Sequence, residues 1–168
     1  MLIHDAVENA CEQAGNLLDA GAPRTAVLSC LIDAAEQLGA PRAVSSILVL
    51  DDHGLLRNGH SPKLPDDYLA AIDRLKPNPR VGTCAAAAAT ASVVKTPDFL
   101  ADDKWAELKH LPLSLGYVGA WSMPIMSKRS GAVLGTFGTY YQDKREPTPR
   151  EIEGIRRLAV VAARALER

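Results

Sequence analysis

The feature that most restricts the fold of this chain is a pair of strand-like segments in its C-terminal half. Residues 117–126 and 132–141 are rich in aromatic and branched side chains, and the polar turn 127–131 separates them. Two such runs around a short turn that contains glycine predict an antiparallel β-hairpin. The chain is therefore expected to contain an antiparallel sheet.

A second hairpin is predicted nearer the N-terminus. Residues 43–50 have strand-forming composition, and the turn 51–54 leads into a short strand near residues 55–60. Residues 92–96 form a further short strand. Between these strands the pattern is weaker and predicts short helices at residues 67–75 and 85–89, with a helical turn or two at 104–111.

Long amphipathic helices are predicted at both ends of the chain. Apolar residues recur at helical spacing from Asp5 to Gly21, with Asp5 and Glu8 placed as a cap, and a second helix runs from about Pro23 to Gly39. The closing helix, residues 148–168, begins with a capping box and a proline at its first position. Long helices at the ends and hairpins between them favour an α+β layer structure.

Composition limits the class of protein. A chain of 168 residues with 47% hydrophobic side chains can bury one core, so residues 1–168 are predicted to form a single domain. The net charge of −1 provides no positive field for nucleic acid. Three cysteines without CxxC spacing, no signal peptide and no apolar stretch of about 20 residues predict a cytoplasmic protein without a membrane partner.

Four segments together resemble the GAF family of small-molecule sensory domains. They are Val81-Gly82-Thr83-Cys84-Ala85, Asp102-Asp103-Lys104-Trp105, Ala120-Trp121-Ser122-Met123-Pro124-Ile125, and Gly131-Ala132-Val133-Leu134-Gly135-Thr136-Phe137 leading to Tyr140-Tyr141. The resemblance runs from about Thr25 to the C-terminus. It implies a central antiparallel sheet of about six strands, terminal helices on one face, and short helices and loops that close a pocket on the other. It also implies a homodimer formed through helices 1–21 and 148–168.

The resemblance also indicates which residues would contact a ligand. These candidates are Gly82, Thr83, Cys84, Ala85, Trp105, Trp121, Phe137 and Tyr140. Each has a structural alternative. Gly82 and Thr83 either present N–H groups to an anion or form an ordinary helix cap. Trp121 and Phe137 line the pocket or fill the core, and Trp105 is a lid or anchors its own loop.

Strand alternation restricts which side chains of the last strand can share a face. Leu134, Thr136, Gly138 and Tyr140 should point to one side, and Val133, Gly135, Phe137, Thr139 and Tyr141 to the other. Tyr140 and Tyr141 therefore cannot both line one cavity. The pattern does not indicate which face carries the pocket.

No catalytic residue, metal ligand or cofactor site is predicted. The free methionine-R-sulfoxide reductases of this family have a cysteine before the short helix, where Cys84 stands here, and also need a catalytic cysteine in the loop that corresponds to residues 102–110. That loop contains no cysteine. The motifs of cyclic-nucleotide-binding and bilin-binding members are absent. The four histidines occur singly, without metal-ligand spacing, and no GxSxG, P-loop or GxGxxG motif occurs.

Two functional hypotheses remain, with a reductase-like enzyme as a remote third. The first is an apparently stand-alone sensory domain that binds a small molecule or anion and signals through its terminal helices to a partner, such as a histidine kinase or another signalling protein. The second is a dimerisation module with a self-filled pocket, which Val160 and Val161 suggest because they widen the apolar arc of the closing helix. No output segment follows that helix, so the output is expected on another chain or in a missing portion.

Overall fold

A computed structural model describes residues 3–39 and 41–167, with the backbone alone for residues 3–5. Its strands are β1 (Val44–Leu50), β2 (Leu56–His60), β3 (Val94–Thr96), β4 (Gly119–Met126) and β5 (Val133–Tyr141). They form one antiparallel sheet in the order β2-β1-β5-β4-β3. The α+β prediction and both predicted hairpins are confirmed. The described residues contain five strands, as the strand patterns indicate, where the resemblance implied about six.

The described part of the chain has six helices besides this sheet. The three long ones are α1 (Ile3–Asp19), α2 (Arg24–Leu38) and α6 (Pro149–Glu167). The three short ones are α3 (Asp66–Ala71), α4 (Cys84–Thr90) and α5 (His110–Ser114), with a 3-10 turn at Asp103–Trp105. The helix predicted at 67–75 ends at Ala71, and the helical segment predicted at 104–111 divides into the 3-10 turn and α5.

The capping box predicted for α6 is present, whereas the cap predicted for α1 is wrong. At α6, the Glu151 N–H donates to Thr148 Oγ1 (3.1 Å) and the Thr148 N–H donates to Glu151 Oε1 (3.4 Å), so the capping box is confirmed. At the other end, α1 already begins at Ile3, which puts Asp5 inside the helix rather than at the cap. The Asp5 side chain lies outside the described residues. Within the described part, no helix combines the length and apolarity needed to cross a membrane.

The sheet separates two cores. Helices α2 and α6 pack on one side of it, which we call the helix face, and α1 packs on α2 and α6. The short helices and the loops cover the opposite side, the pocket face. The helix-face core includes Leu28, Leu31, Ile32, Ile47, Trp121, Phe137, Tyr141 and Leu158. The pocket-face core includes Leu48, Tyr68, Ala85, Phe99, Trp105, Ala120 and Tyr140.

A β-bulge in the second hairpin changes the predicted alternation at its start. Met126 pairs with Val133 and Ile125 pairs with Gly135, so Leu134 is an extra residue on β5. Leu134 consequently packs with the helix face and Val133 with the pocket face, which reverses the prediction for these two residues. Beyond the bulge the alternation holds, and Tyr140 and Tyr141 lie on opposite faces as expected.

Candidate functional site

A small cavity lies on the pocket face, between the middle of the sheet and the short helices. Only ≈ 20 Å³ of it is open to the centre of a water molecule, which is about the space that one water requires. Its walls come from β1, β4, β5, α3, α4 and the loop after β3. The lining residues are Leu48, Tyr68, Ile72, Leu75, Gly82, Thr83, Cys84, Trp105, Leu108, Ala120, Trp121, Gly138, Thr139 and Tyr140.

Thr83 joins the start of α4 to two other parts of the wall. Its hydroxyl accepts a hydrogen bond from Trp105 Nε1 (2.8 Å) and is hydrogen-bonded to Thr96 Oγ1 (3.0 Å). The preceding Gly82 has φ +61, a conformation that favours glycine, and its N–H donates to the Lys104 carbonyl (2.8 Å). The Thr83 side chain therefore does not cap α4. It holds the buried Trp105 against the start of that helix.

Cys84 is the first residue of α4 and faces the sheet. Its sulfur accepts a hydrogen bond from Ser122 Oγ (3.4 Å). Burial raises the pKa of the Cys84 thiol, and the Ser122 contact only partly offsets this. A Cβ added to Gly138 would lie 3.0 Å from the sulfur, so α4 and β5 approach closely at this point. A protonated thiol in this environment is a poor nucleophile.

Two tyrosine hydroxyls meet at the wall of the cavity. Tyr68 from α3 and Tyr140 from β5 are hydrogen-bonded to each other (2.7 Å), and their rings are edge-on with centroids 6.0 Å apart. Burial raises the pKa of both phenols. Each hydroxyl can donate and accept, so this pair can adjust to either a donor or an acceptor on a ligand.

Among the described residues that line the cavity, none has a charged side chain. Just before the wall residue Trp105 in the sequence, Lys104 and Asp102 form an ion pair, in which Lys104 Nζ lies 2.7 Å from Asp102 Oδ2. Burial raises the pKa of Asp102, but the hydrogen bonds and charge of Lys104 outweigh it and leave the pKa lowered. Arg80 is exposed and is not part of the wall. An anion in this cavity would have no cationic partner among the lining residues.

The structure brings together most, but not all, of the predicted ligand contacts. Gly82, Thr83, Cys84, Trp105 and Tyr140 share the cavity wall. Ala85 is buried in the pocket-face core without lining the cavity.

The two predicted aromatic contacts from the sheet point elsewhere. The Trp121 backbone belongs to the wall, while its indole lies on the helix face and donates to the Tyr141 hydroxyl (2.8 Å). Phe137 is part of the helix-face core and does not line the cavity. For both side chains, the core alternative describes the observed packing.

Several wall residues were not singled out from the sequence. Tyr68 is the most informative of these, because it is the aromatic residue in the predicted helix 67–75 and its polar end needs a partner when buried. Leu48, Ile72, Leu75 and Leu108 look like ordinary core residues in the sequence. No local pattern marks Gly138 as the residue beneath Cys84. Among residues 3–39 and 41–167, no group of three or more His, Cys, Asp or Glu side chains could hold a metal ion.

Sequence comparison finds a relative whose role is described. The chain is 31% identical over 148 residues to a methyl sulfide methyltransferase-associated sensor from Methanosarcina acetivorans, which covers 88% of this chain. The matched region is 15% of that sensor, so this chain spans a small part of its relative's length.

Solved structures share the fold at low sequence identity. The GAF domain of a phosphoenolpyruvate-protein phosphotransferase from Coxiella burnetii has a TM-score of 0.72 and 17% identity, covering 94% of this chain and 90% of that one. The free methionine-R-sulfoxide reductase from Neisseria meningitidis has a TM-score of 0.73 and 14% identity, covering 99% and 89%. At these identities the likeness concerns the fold alone.

The family comparison covers nearly the whole chain. The profile of the GAF domain matches residues 21–167, which includes α2, the complete sheet, all three short helices and α6. It agrees with the resemblance drawn from Thr25 onward. This chain belongs to the GAF domain family.

Proposed function

We propose that this chain is a sensory domain whose ligand is a compact, uncharged molecule that binds at the pocket-face cavity. The observation that carries the proposal is the wall itself, in which the described residues are apolar except for hydroxyl, thiol, indole and backbone groups and include no charged side chain. Of the two ligand classes considered from the sequence, a small molecule and an anion, this wall favours the first. The similarity to a protein described as a sensor supports the sensory role.

The cavity is so small that the elements covering it must move apart before a ligand can bind. With ≈ 20 Å³ open, the present arrangement accommodates little more than one water molecule. The covering elements α3 and α4 have six and seven residues, shorter than helices that are stable on their own. Ligand binding would therefore select a state in which these elements lie further from the sheet. The terminal helices would carry the change to a partner protein.

A reductase-like function has less support from the cysteines. Cys84 faces the pocket, whereas Cys11 and Cys30 pack against the helix-face core on the other side of the sheet. Neither can reach Cys84 to resolve an oxidised sulfur without large rearrangement. We therefore infer a function without catalysis.

Thermal stability with matched ligands tests the sensory proposal. A ligand that binds only the folded state at a hundredfold excess over its Kd stabilises by about 2.7 kcal/mol, or roughly 5–10 °C in Tm for a domain of this size. We expect such shifts from small uncharged molecules and none from carboxylates, nucleotides or inorganic oxyanions. A panel in which only anions shift Tm, or in which nothing does, would contradict the proposal.

A variant that fills the cavity provides the control for the location of the site. Ala120 lies in the cavity wall and is 5% exposed, so Ala120→Leu should remove the ligand-induced shift. Glu153→Ala changes an exposed residue of α6 outside the cavity and should keep it. An undiminished shift in Ala120→Leu would place binding elsewhere on the protein.

Dimerisation through the terminal helices is a second candidate function. Among the described large hydrophobic side chains, Val160 of α6 is unusually exposed, at 58%. It borders a groove of ≈ 210 Å³ that Val93 and Met126 also line. An exposed apolar patch beside a groove is typical of a surface that pairs with another. We infer a homodimer that forms through the surface around Val160 and its groove, together with the terminal helices.

Sedimentation measures this association directly. The protein should form dimers at micromolar concentration, and Val160→Asp should shift it toward monomers because a carboxylate would be buried in the interface. Leu100→Asp changes a second large exposed hydrophobic residue, in the loop after β3, and should leave the dimer intact. Monomers in the unmodified protein would overturn the dimer hypothesis and leave the ligand proposal in place.

A further inference from the structure

The end of β5 connects the two faces of the sheet through adjacent tyrosines. Tyr140 belongs to the pocket-face core and Tyr141 to the helix-face core. Consecutive side chains of a strand point in opposite directions but share one peptide group. A displacement of one ring along or across the sheet therefore moves the backbone that holds the other.

On the pocket face, Tyr140 is tied to the wall that would move on ligand binding. Its hydroxyl is hydrogen-bonded to the Tyr68 hydroxyl (2.7 Å), and Tyr68 belongs to the short helix α3. Both rings line the cavity. A molecule that enters between them must break or replace this hydrogen bond, because a buried hydroxyl without a partner is costly.

On the helix face, the Tyr141 hydroxyl is part of a buried polar cluster. It accepts a hydrogen bond from Trp121 Nε1 (2.8 Å) and donates one to the Glu151 carboxylate. Glu151 is 5% exposed and lies in the first turn of α6, where it also completes the capping box with Thr148. The position of Tyr141 thus affects how α6 begins.

Arg145 extends the same cluster to the end of α2. Its guanidinium donates to Glu151 Oε1 (2.7 Å) and to the Gly39 carbonyl (3.0 Å) just beyond α2. It also lies over the Tyr141 ring, 3.7 Å from the centroid. Tyr141, Glu151 and Arg145, which we call the relay cluster, therefore connect β5 with two of the long helices.

Such a cluster favours two discrete arrangements over gradual deformation. Buried charged and polar groups lose much of their stabilisation when only some of their partners are present. A shift of Tyr141 that breaks its bond to Glu151 leaves a buried carboxylate with fewer donors, so the neighbouring groups must rearrange together.

We propose that the Tyr140–Tyr141 step transmits a change at the Tyr68–Tyr140 hydroxyl pair to the relay cluster, and so to the first turn of α6 and the end of α2. The proposal deepens the sensory function and rests on the pocket-face cavity being the sensory site. It assigns Tyr141, Glu151 and Arg145 as positioning residues for the signal. None of them contacts the ligand.

Hydrogen exchange of the 168-residue protein without any ligand tests this coupling separately from ligand binding. Tyr140→Phe removes the hydroxyl pair on the pocket face. We expect amide exchange in residues 150–155 and 36–39 to become about threefold to tenfold faster, the effect of losing one buried hydrogen bond. In a Tyr141→Phe background the same substitution should change exchange there by far less, which a double-mutant cycle measures.

Two further variants keep the test decisive. Tyr68→Phe breaks the hydroxyl pair from α3 and should reproduce the effect of Tyr140→Phe if the latter does not fold. Tyr117→Phe is the matched control, since Tyr117 packs against the Tyr140 ring (centroids 5.4 Å apart) and is not part of the hydroxyl pair. It should leave exchange in α6 unchanged.

The relay would be overturned if Tyr140→Phe and Tyr68→Phe speed exchange on the pocket face alone, or if their effect on α6 persists fully without the Tyr141 hydroxyl. A failed ligand panel with intact coupling would contradict the sensory function and leave the coupling established. Ligand shifts without coupling would contradict the relay alone.

Discussion

The helix face and the pocket face of the sheet differ in the length of the helices that cover them and in the side chains that hold those helices in place. Helices of 15–19 residues cover the first, where many completely buried aliphatic side chains pack beside aromatic residues and the relay cluster. Helices of five to seven residues cover the second, and tyrosine, threonine, tryptophan and cysteine side chains join them to one another and to the sheet. Short helices need such tertiary contacts to form. The difference suggests that one face supplies stability and the other can be rearranged.

Matched leucine substitutions test this division most strongly. Leu28→Ala on the helix face should lower the free energy of unfolding by about 2–5 kcal/mol, because Leu28 is fully buried in close-packed surroundings. Leu75→Ala on the pocket face should cost clearly less, since Leu75 is partly exposed and already borders a cavity. Urea denaturation measures both. Equal losses would contradict the proposed division.

Removal of Glu151 should have the next largest effect. Glu151→Ala leaves the Arg145 guanidinium and the Tyr141 hydroxyl without their shared acceptor, at a cost of about 1.5–3 kcal/mol. Glu153→Ala, two residues further along α6, removes an exposed carboxylate paired with Arg156 and should change stability by less than about 0.5 kcal/mol. Similar values from denaturation of the two variants would show that the relay cluster contributes little to folding.

Alkaline pH should weaken the protein through its buried pocket-face phenols. Burial raises the pKa of Tyr140, so above about pH 10 the unfolded chain ionises this phenol before the folded protein does. The unfolded state then binds fewer protons, and stability falls as pH rises. Tyr140→Phe should make this fall shallower by up to about 1.4 kcal/mol per pH unit. Parallel pH profiles for the two proteins would rule out this contribution.

The smallest effect concerns the contact between β5 and α4. Gly138→Ala places a methyl group 3.0 Å from the Cys84 sulfur, and we expect a loss of about 1 kcal/mol from overpacking. In a Cys84→Ala background the same substitution should be nearly neutral, because the opposing sulfur is gone. Thermal unfolding of the four proteins in this cycle measures the interaction. An equal loss in both backgrounds would mean that the strain arises elsewhere.

The sequence predicted the elements of the fold well because their signals are local. The capping box at Thr148, both hairpin turns and the helical spacing of the terminal segments each depend on residues within a few positions of one another. Local patterns predicted the short helices less accurately. These helices end at different residues than predicted, because tertiary contacts outweigh propensity in helices of this length.

The site was predicted less completely for a physical reason. Six of the eight proposed ligand contacts line the cavity, although the indole of one of them, Trp121, packs on the helix face. The sequence could place these residues because they lie in segments that resemble the family. The orientation of Trp121 and Phe137 depends on which face of the strand meets the long helices, which alternation alone leaves open. The extra residue Leu134 depends on pairing between two strands rather than on either one.

The sequence by itself determined that this chain forms an α+β structure in which an antiparallel sheet lies between long N-terminal and C-terminal helices, because these patterns are local. Only the tertiary structure decided which side of the sheet carries the cavity, that Tyr68 meets Tyr140 there, and that Tyr141 meets Glu151 and Arg145 behind it. These contacts join residues 72, 10 and 6 positions apart through side-chain geometry, which no local periodicity encodes.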